Sequence, residues 1–106
     1  MKAPVIRISL GKFDADTAAS VEQKLLESKA QLEGGIRAMQ GNLGYYVGID
    51  RTNNAMHNVS VWESVGDANQ MATFAPMLAL AAEFTAIGVR FERPILNCNT
   101  LWRLDE

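Results

Sequence analysis

Asn58 and Trp62 stand four residues apart in the run Met56 to Trp62, where side chains of two kinds alternate. In an extended strand, residues at even spacing share a face. Asn58, Ser60 and Trp62 therefore point the same way. A carboxamide, a hydroxyl and an indole N–H on one surface can orient the oxygens of a small ring. The run Val5 to Leu10 alternates too, with Ile6, Ile8 and Leu10 on one side and Val5, Arg7 and Ser9 on the other. Arg7 adds a fixed positive charge suited to a ligand carboxylate or enolate, or to a salt bridge with Glu92 or Asp50. Tyr46, Asn97 and Asn99, from two further extended segments, complete the polar face. Arg7, Asn58 and Trp62 are the candidate catalytic residues, and Tyr46, Ser60, Asn97 and Asn99 the candidate ligand-binding residues. The competing assignment for Asn58 and Trp62 is a satisfied polar pair inside a subunit interface.

Other chemistries lack their residues. There is no interior carboxylate, no histidine pair and no Ser/His/Asp set, so hydrolytic acid–base catalysis is poorly supported. No Cys/His spacing suits a metal, and no glycine loop opens a helix to cradle phosphate. The one histidine, His57, falls by alternation on the aliphatic side, at a strand start. Cys98 reads as a buried hydrophobe, and Met71 and Met77 as core filler.

Composition bounds the partners. A chain of 106 residues with net charge -2 is one domain, residues 1–106, with no basic stripe for nucleic acid. No apolar run approaches the ~20 residues of a membrane span. Arg7 interrupts the apolar start of the chain, which removes a signal core, and a lone cysteine forms no internal disulfide. A cytoplasmic protein is expected.

The elements that must position these residues follow from periodicity. Val5–Leu10 is a half-buried strand; from Ala18, apolar Val21, Leu25, Leu32, Ile36 and Met39 mark an amphipathic helix. Gly34-Gly35 should weaken that helix near its end. Tyr45–Ile49 and Met56–Trp62 flank the polar turn Asp50–Asn54 at hairpin distance. Ser64–Val89 is helical in character, in two pieces joined near Ala75-Pro76. Ile95–Leu104 is the last strand. Strand, helix, strand, strand, helix, strand is the ferredoxin-like split βαββαβ order: an α+β fold with an antiparallel four-stranded sheet and both helices on one face. The helices are expected to cover the Ile6, Ile8, Val47, Val59 and Val61 side. Val5, Tyr46, Trp62 and Leu101 would then stay uncovered, a patch that a homodimer pairing its sheets face to face would bury.

This order, with Gly41-Asn42-Leu43-Gly44-Tyr45-Tyr46 entering the second strand and Val59-Ser60-Val61-Trp62-Glu63-Ser64 leading into the second helix, resembles the antibiotic-biosynthesis-monooxygenase-like branch of the dimeric α+β barrel superfamily. The likeness runs along nearly the whole chain, and Arg90-Phe91-Glu92-Arg93-Pro94-Ile95 suggests a poorly characterised subgroup. Characterised members include cofactor-free quinone-forming monooxygenases and haem-degrading enzymes. The resemblance thus implies a dimeric α+β barrel that binds a small molecule, a cofactor-independent monooxygenase for an electron-rich aromatic or enolic substrate. The alternative is a non-catalytic ligand-binding or assembly protein. Haem-degrading members carry an iron-ligating histidine on the second helix. Gly66 to Gly88 has none, so no haem, metal or other cofactor is expected. Asn58 and Trp62 match the Asn and Trp those enzymes carry on the third strand.

Overall fold

The computed structural model describes residues 3–104. β1 (Val5–Lys12) is the strand on which the sheet is assembled. β3 (Ala55–Trp62) pairs antiparallel with β1 from Val5↔Trp62 to Lys12↔Ala55, and β2 (Asn42–Asp50) pairs with β3 on its far side. The polar turn between β2 and β3 is closed by Asp50, whose carboxylate accepts from the amides of Thr52 and Asn53 at 3.0 Å each, while Asn54 takes a left-handed φ of 53°.

The fourth position of the sheet is split. β4 (Arg90–Phe91) pairs with Gly11 and Lys12, and β5 (Leu96–Asn99) pairs with Val5 to Ile8, both antiparallel to β1. The strand expected from Ile95 to Leu104 is therefore shortened to Leu96–Asn99, and a separate short strand, Arg90–Phe91, precedes it. Pro94, which has no N–H to give a ladder, lies in the break. The sheet order is β2-β3-β1-β4, with β5 continuing the β4 edge.

α1 (Ala18–Arg37) follows β1, and α2 (Val65–Ala68), a 3₁₀ segment (Asn69–Thr73) and α3 (Ala75–Ala86) follow β3. Ser64 caps α2, its Oγ accepting from Asp67 N at 3.1 Å. Pro76 falls in the first turn of α3, where its missing N–H has no helical partner to lose, so the helical region divides there as expected. α1 runs through Gly34-Gly35 without ending. Gly35 instead lets the Phe74 ring lie against the helix backbone, where a Cβ would collide with it.

The helices lie on the opposite face from the one expected. Along β1, Val5, Arg7, Ser9 and Gly11 are buried, while Ile6, Ile8 and Leu10 are only half-buried. Along β3, Met56, Ser60 and Trp62 are buried, and His57, Val59 and Val61 are half-buried. The core beneath the helices joins Val5, Met56 and Trp62 to Val21, Leu32 and Ile36 of α1 and to Leu80 and Phe84 of α3. The aliphatic row Ile6, Ile8, Leu10, Val59 and Val61 forms the uncovered face. His57 and Cys98 lie on it too. Cys98 is exposed rather than a buried hydrophobe, and His57 faces away from the helices. Burial of Trp62 explains the inversion: the largest apolar side chain on β3 belongs to the set that carries Asn58, and the helices follow it.

Candidate functional site

Cross-strand register assembles a polar floor beneath the helices. One row runs Tyr45, Ser60, Arg7 and Asn97 across four strands; the next runs Val47, Asn58 and Ser9. Over part of this floor the helices leave a partly open cavity of about 240 Å³. Arg7, Ser9, Tyr45 and Asn58 line it from the sheet, and Leu25, Ser28 and Leu32 from α1. Met71, Met77, Leu80 and Phe84 close the roof, and Phe91, Arg93 and Ile95 form the rim at the split edge. Met71 and Met77 are thus cavity walls as well as packing. A wider open groove of about 740 Å³ lies between α1 and β2 and shares Leu25, Ser28, Leu32, Tyr45 and Val47 with the cavity. Its further walls carry scattered, solvated charges such as Glu22, Lys29 and Arg37. Of the two, the smaller cavity is the one lined by buried Arg7 and by Asn58, whose Oδ1 has no hydrogen-bond partner.

Arg7 is 7% exposed, yet among the described residues its guanidinium makes no hydrogen bond and no ion pair. Neither Glu92 nor Asp50 neutralises it. A buried unpaired charge is costly, and burial lowers the Arg7 pKa from its ordinary value. Tyr45 opposes this in part, and the neighbouring Arg93 charge, a smaller effect, pushes in the same direction as burial. The Asn58 Oδ1, buried on the same floor, also lacks a partner. Tyr45 is held as the neutral phenol, its pKa pushed up to about 12 chiefly by burial. Ser28 is internally satisfied, its Oγ donating to Leu25 O at 2.6 Å. The cavity therefore offers a guanidinium, a carboxamide and a phenol donor among apolar walls. This composition can bind an oxygen-bearing, acidic ring and stabilise its anion.

The structure brings Arg7 and Asn58 together and separates the other candidates from them. Trp62 and Ser60 share the face but are fully buried in the core, outside the cavity lining, and Trp62 Nε1 and Ser60 Oγ have no hydrogen-bond partner. Asn97 and Asn99 share the face by register but are exposed on β5 and outside the lining. Tyr46, expected in the polar lining, pairs with Val59 on the uncovered face and is 61% exposed. Its neighbour Tyr45 takes the place expected for it. Arg93 was not among the candidates, because the break in the last strand had no signature beyond Pro94. Among the described residues no cluster of three or more His, Cys, Asp or Glu gathers to hold a metal ion, and no helix is long and apolar enough to cross a membrane.

No protein-family model and no curated protein matches the chain. Solved structures do. SnoaB from Streptomyces nogalater, a cofactor-independent oxygenase, superposes with a TM-score of 0.70 at 15% identity, over 98% of this chain and 99% of that one. A Deinococcus radiodurans protein proposed to be an antibiotic biosynthesis monooxygenase gives 0.72 at 16% identity, over 96% and 97% of the two chains. Rv0793 from Mycobacterium tuberculosis gives 0.63 at 17% identity, over 98% of each. At these identities the likeness is one of fold: the chain has the ferredoxin-like α+β fold of antibiotic-biosynthesis-monooxygenase proteins along nearly its whole length.

Proposed function

We propose that this is a small-molecule-binding protein that acts as a cofactor-independent monooxygenase on an electron-rich phenol or enol. The observation that carries it is Arg7, a nine-tenths buried cation without a partner among the described residues, lining the same cavity as the orphaned Asn58 Oδ1. A bound phenol or enol would donate its hydroxyl hydrogen to Asn58 Oδ1, and its anion, once formed, would accept from Arg7 and be the electron-rich form that reacts with oxygen. For 1-naphthol the balance is one O2 consumed and one water released per 1,4-naphthoquinone formed. Arg7 would stabilise the anion, Asn58 would orient its oxygen, and the methionine and phenylalanine walls would exclude water.

A second reading has its own support. Among the described residues the cavity lining holds no histidine and no carboxylate, so no side chain described there is a ready base for the substrate proton. That favours a non-catalytic binder, unless the substrate is acidic enough to arrive ionised. Oxygen uptake with a panel of naphthols and hydroxynaphthoates separates the two. Uptake matched by quinone absorbance, and lost in Asn58→Ala, supports the monooxygenase. Tight binding with uptake no faster than in buffer supports the binder.

The uncovered aliphatic face supports a homodimer. Ile6, Ile8, Leu10, Val59 and Val61, with exposed Tyr46 and Leu96 beside them, form one apolar surface that a second copy of the same face would cover. A lone, exposed Cys98 fits a reducing, cytoplasmic setting.

A further inference from the structure

Two arginines open onto the cavity, and among the described residues none that lines it is acidic. Arg7 lies in the floor at 7% exposure. Arg93 lies at the rim, in the break between β4 and β5, and is exposed. Two contacts hold it there: its guanidinium sits 5.1 Å from the Phe91 ring centroid, and its Nη1 donates to Glu92 O at 2.9 Å. The two charges feel each other, since Arg93 adds to the burial that lowers the Arg7 pKa. Arginine does not deprotonate in proteins, so the repulsion is relieved only by an anion. Tyr45 is not that anion, because burial keeps its phenol protonated.

The shape of the missing partner follows from the donors and the space. A guanidinium presents a planar fork that a carboxylate fills with two parallel hydrogen bonds, whereas a phenolate offers a single oxygen. A cavity of roughly 150 Å³ is enough for benzene. About 240 Å³ therefore accommodates one substituted ring or two fused rings.

We propose that the cavity takes a compact aromatic acid, one or two fused rings bearing a carboxylate beside the oxidisable hydroxyl. The carboxylate pairs with Arg7, and Arg93 guides it in and screens it at the rim. This deepens the function proposed above and rests on the same cavity being the ligand site. Its test reads binding, which is separable from oxygen chemistry.

The test is isothermal titration of 1-hydroxy-2-naphthoate and 1-naphthol, with oxygen excluded, into the wild-type protein, Arg7→Met and Arg93→Gln. The acid is expected to bind the wild type about 10- to 150-fold more tightly than the naphthol, the span of a charged hydrogen-bonded contact. Arg7→Met, whose folding is checked by its thermal melt, should remove that preference. Arg93→Gln, at an exposed position, should weaken the acid by up to about fivefold. Naphthol binding as tightly as the acid in the wild type would overturn the proposal without any variant. So would an acid affinity unmoved by Arg7→Met. Repeating the mixtures in air keeps the two ideas apart. Arg7-dependent acid binding without oxygen uptake sinks the monooxygenase and leaves the acid site standing; naphthol oxidation without acid preference does the reverse.

Discussion

Arg7 on β1 and Tyr45 on β2 are both register partners of Ser60, so a guanidinium and a phenol flank one buried hydroxyl in a single row beneath the helices. Burial raises the Tyr45 pKa to about 12, and the Arg7 charge, which pulls it down, does not overcome that. A folded state that holds this proton more tightly than the unfolded chain binds more protons between the two pKa values. Stability is therefore fully present below the ordinary tyrosine value of 10.0 and falls as pH rises toward 12. The expected loss is up to roughly 2–3 kcal/mol. Urea unfolding at successive pH values across that window checks it, with Tyr45→Phe expected to flatten the slope.

Stability and binding should oppose each other in the cavity floor. Arg7 is a buried charge without a partner, and Asn58 Oδ1 a buried acceptor without a donor. Arg7→Met and Asn58→Leu remove those costs with side chains of similar size, so each should raise stability by about 1–2 kcal/mol. Each should also weaken ligand binding. Melting curves and titrations on the same samples decide this; a melting temperature that falls in both variants would show that the two groups are satisfied in solution.

The adjacent glycines of α1 should respond with opposite signs. At Gly34 nothing lies within 4 Å of an added Cβ, so Gly34→Ala gains helix propensity of up to about 1 kcal/mol. At Gly35 the same methyl meets the Phe74 ring, and Gly35→Ala should cost about 1–3 kcal/mol despite the same propensity gain. Denaturant midpoints of the two variants give the comparison directly.

The uncovered sheet face should control assembly. Ile8 sits at its centre, between Val59 on β3 and Leu96 on β5. Ile8→Asp is expected to convert a dimer to a folded monomer in sedimentation velocity. A wild-type protein that sediments as a monomer at micromolar concentration removes the basis for the dimer.

Much of this was legible in the sequence, and the limits have physical causes. Alternation within a strand shows which side chains share a face, and β1, β3 and β5 keep Arg7, Ser9, Asn58, Ser60, Trp62, Asn97 and Asn99 together. Alternation does not say which face the helices take. Aliphatic Ile6, Ile8, Val59 and Val61 read as core, yet a chain with two apolar surfaces uses one for its own core and leaves the other uncovered. The buried pair Val5 and Trp62 was the signal for the helix side. Nor does alternation within β2 give its phase against β3. The turn that pairs Asp50 with Ala55 puts Val47 opposite Asn58 and Tyr46 opposite Val59, one residue from the expected alignment. Arg93 enters the site through a break in a strand, where no periodicity exists to read.

The central claim is that ligand binds between helices and sheet, on the Arg7 and Asn58 face. The most direct test is to titrate ¹⁵N-labelled protein with 1-hydroxy-2-naphthoate and follow assigned amide and side-chain resonances. Expected are shifts at the Arg7 guanidinium, the Asn58 carboxamide, Tyr45, Ala72 and Arg93, with Ile8, Tyr46 and Val61 on the other face unmoved. Shifts confined to Ile8, Tyr46, Val59 and Val61, with Arg7 and Asn58 silent, would contradict it.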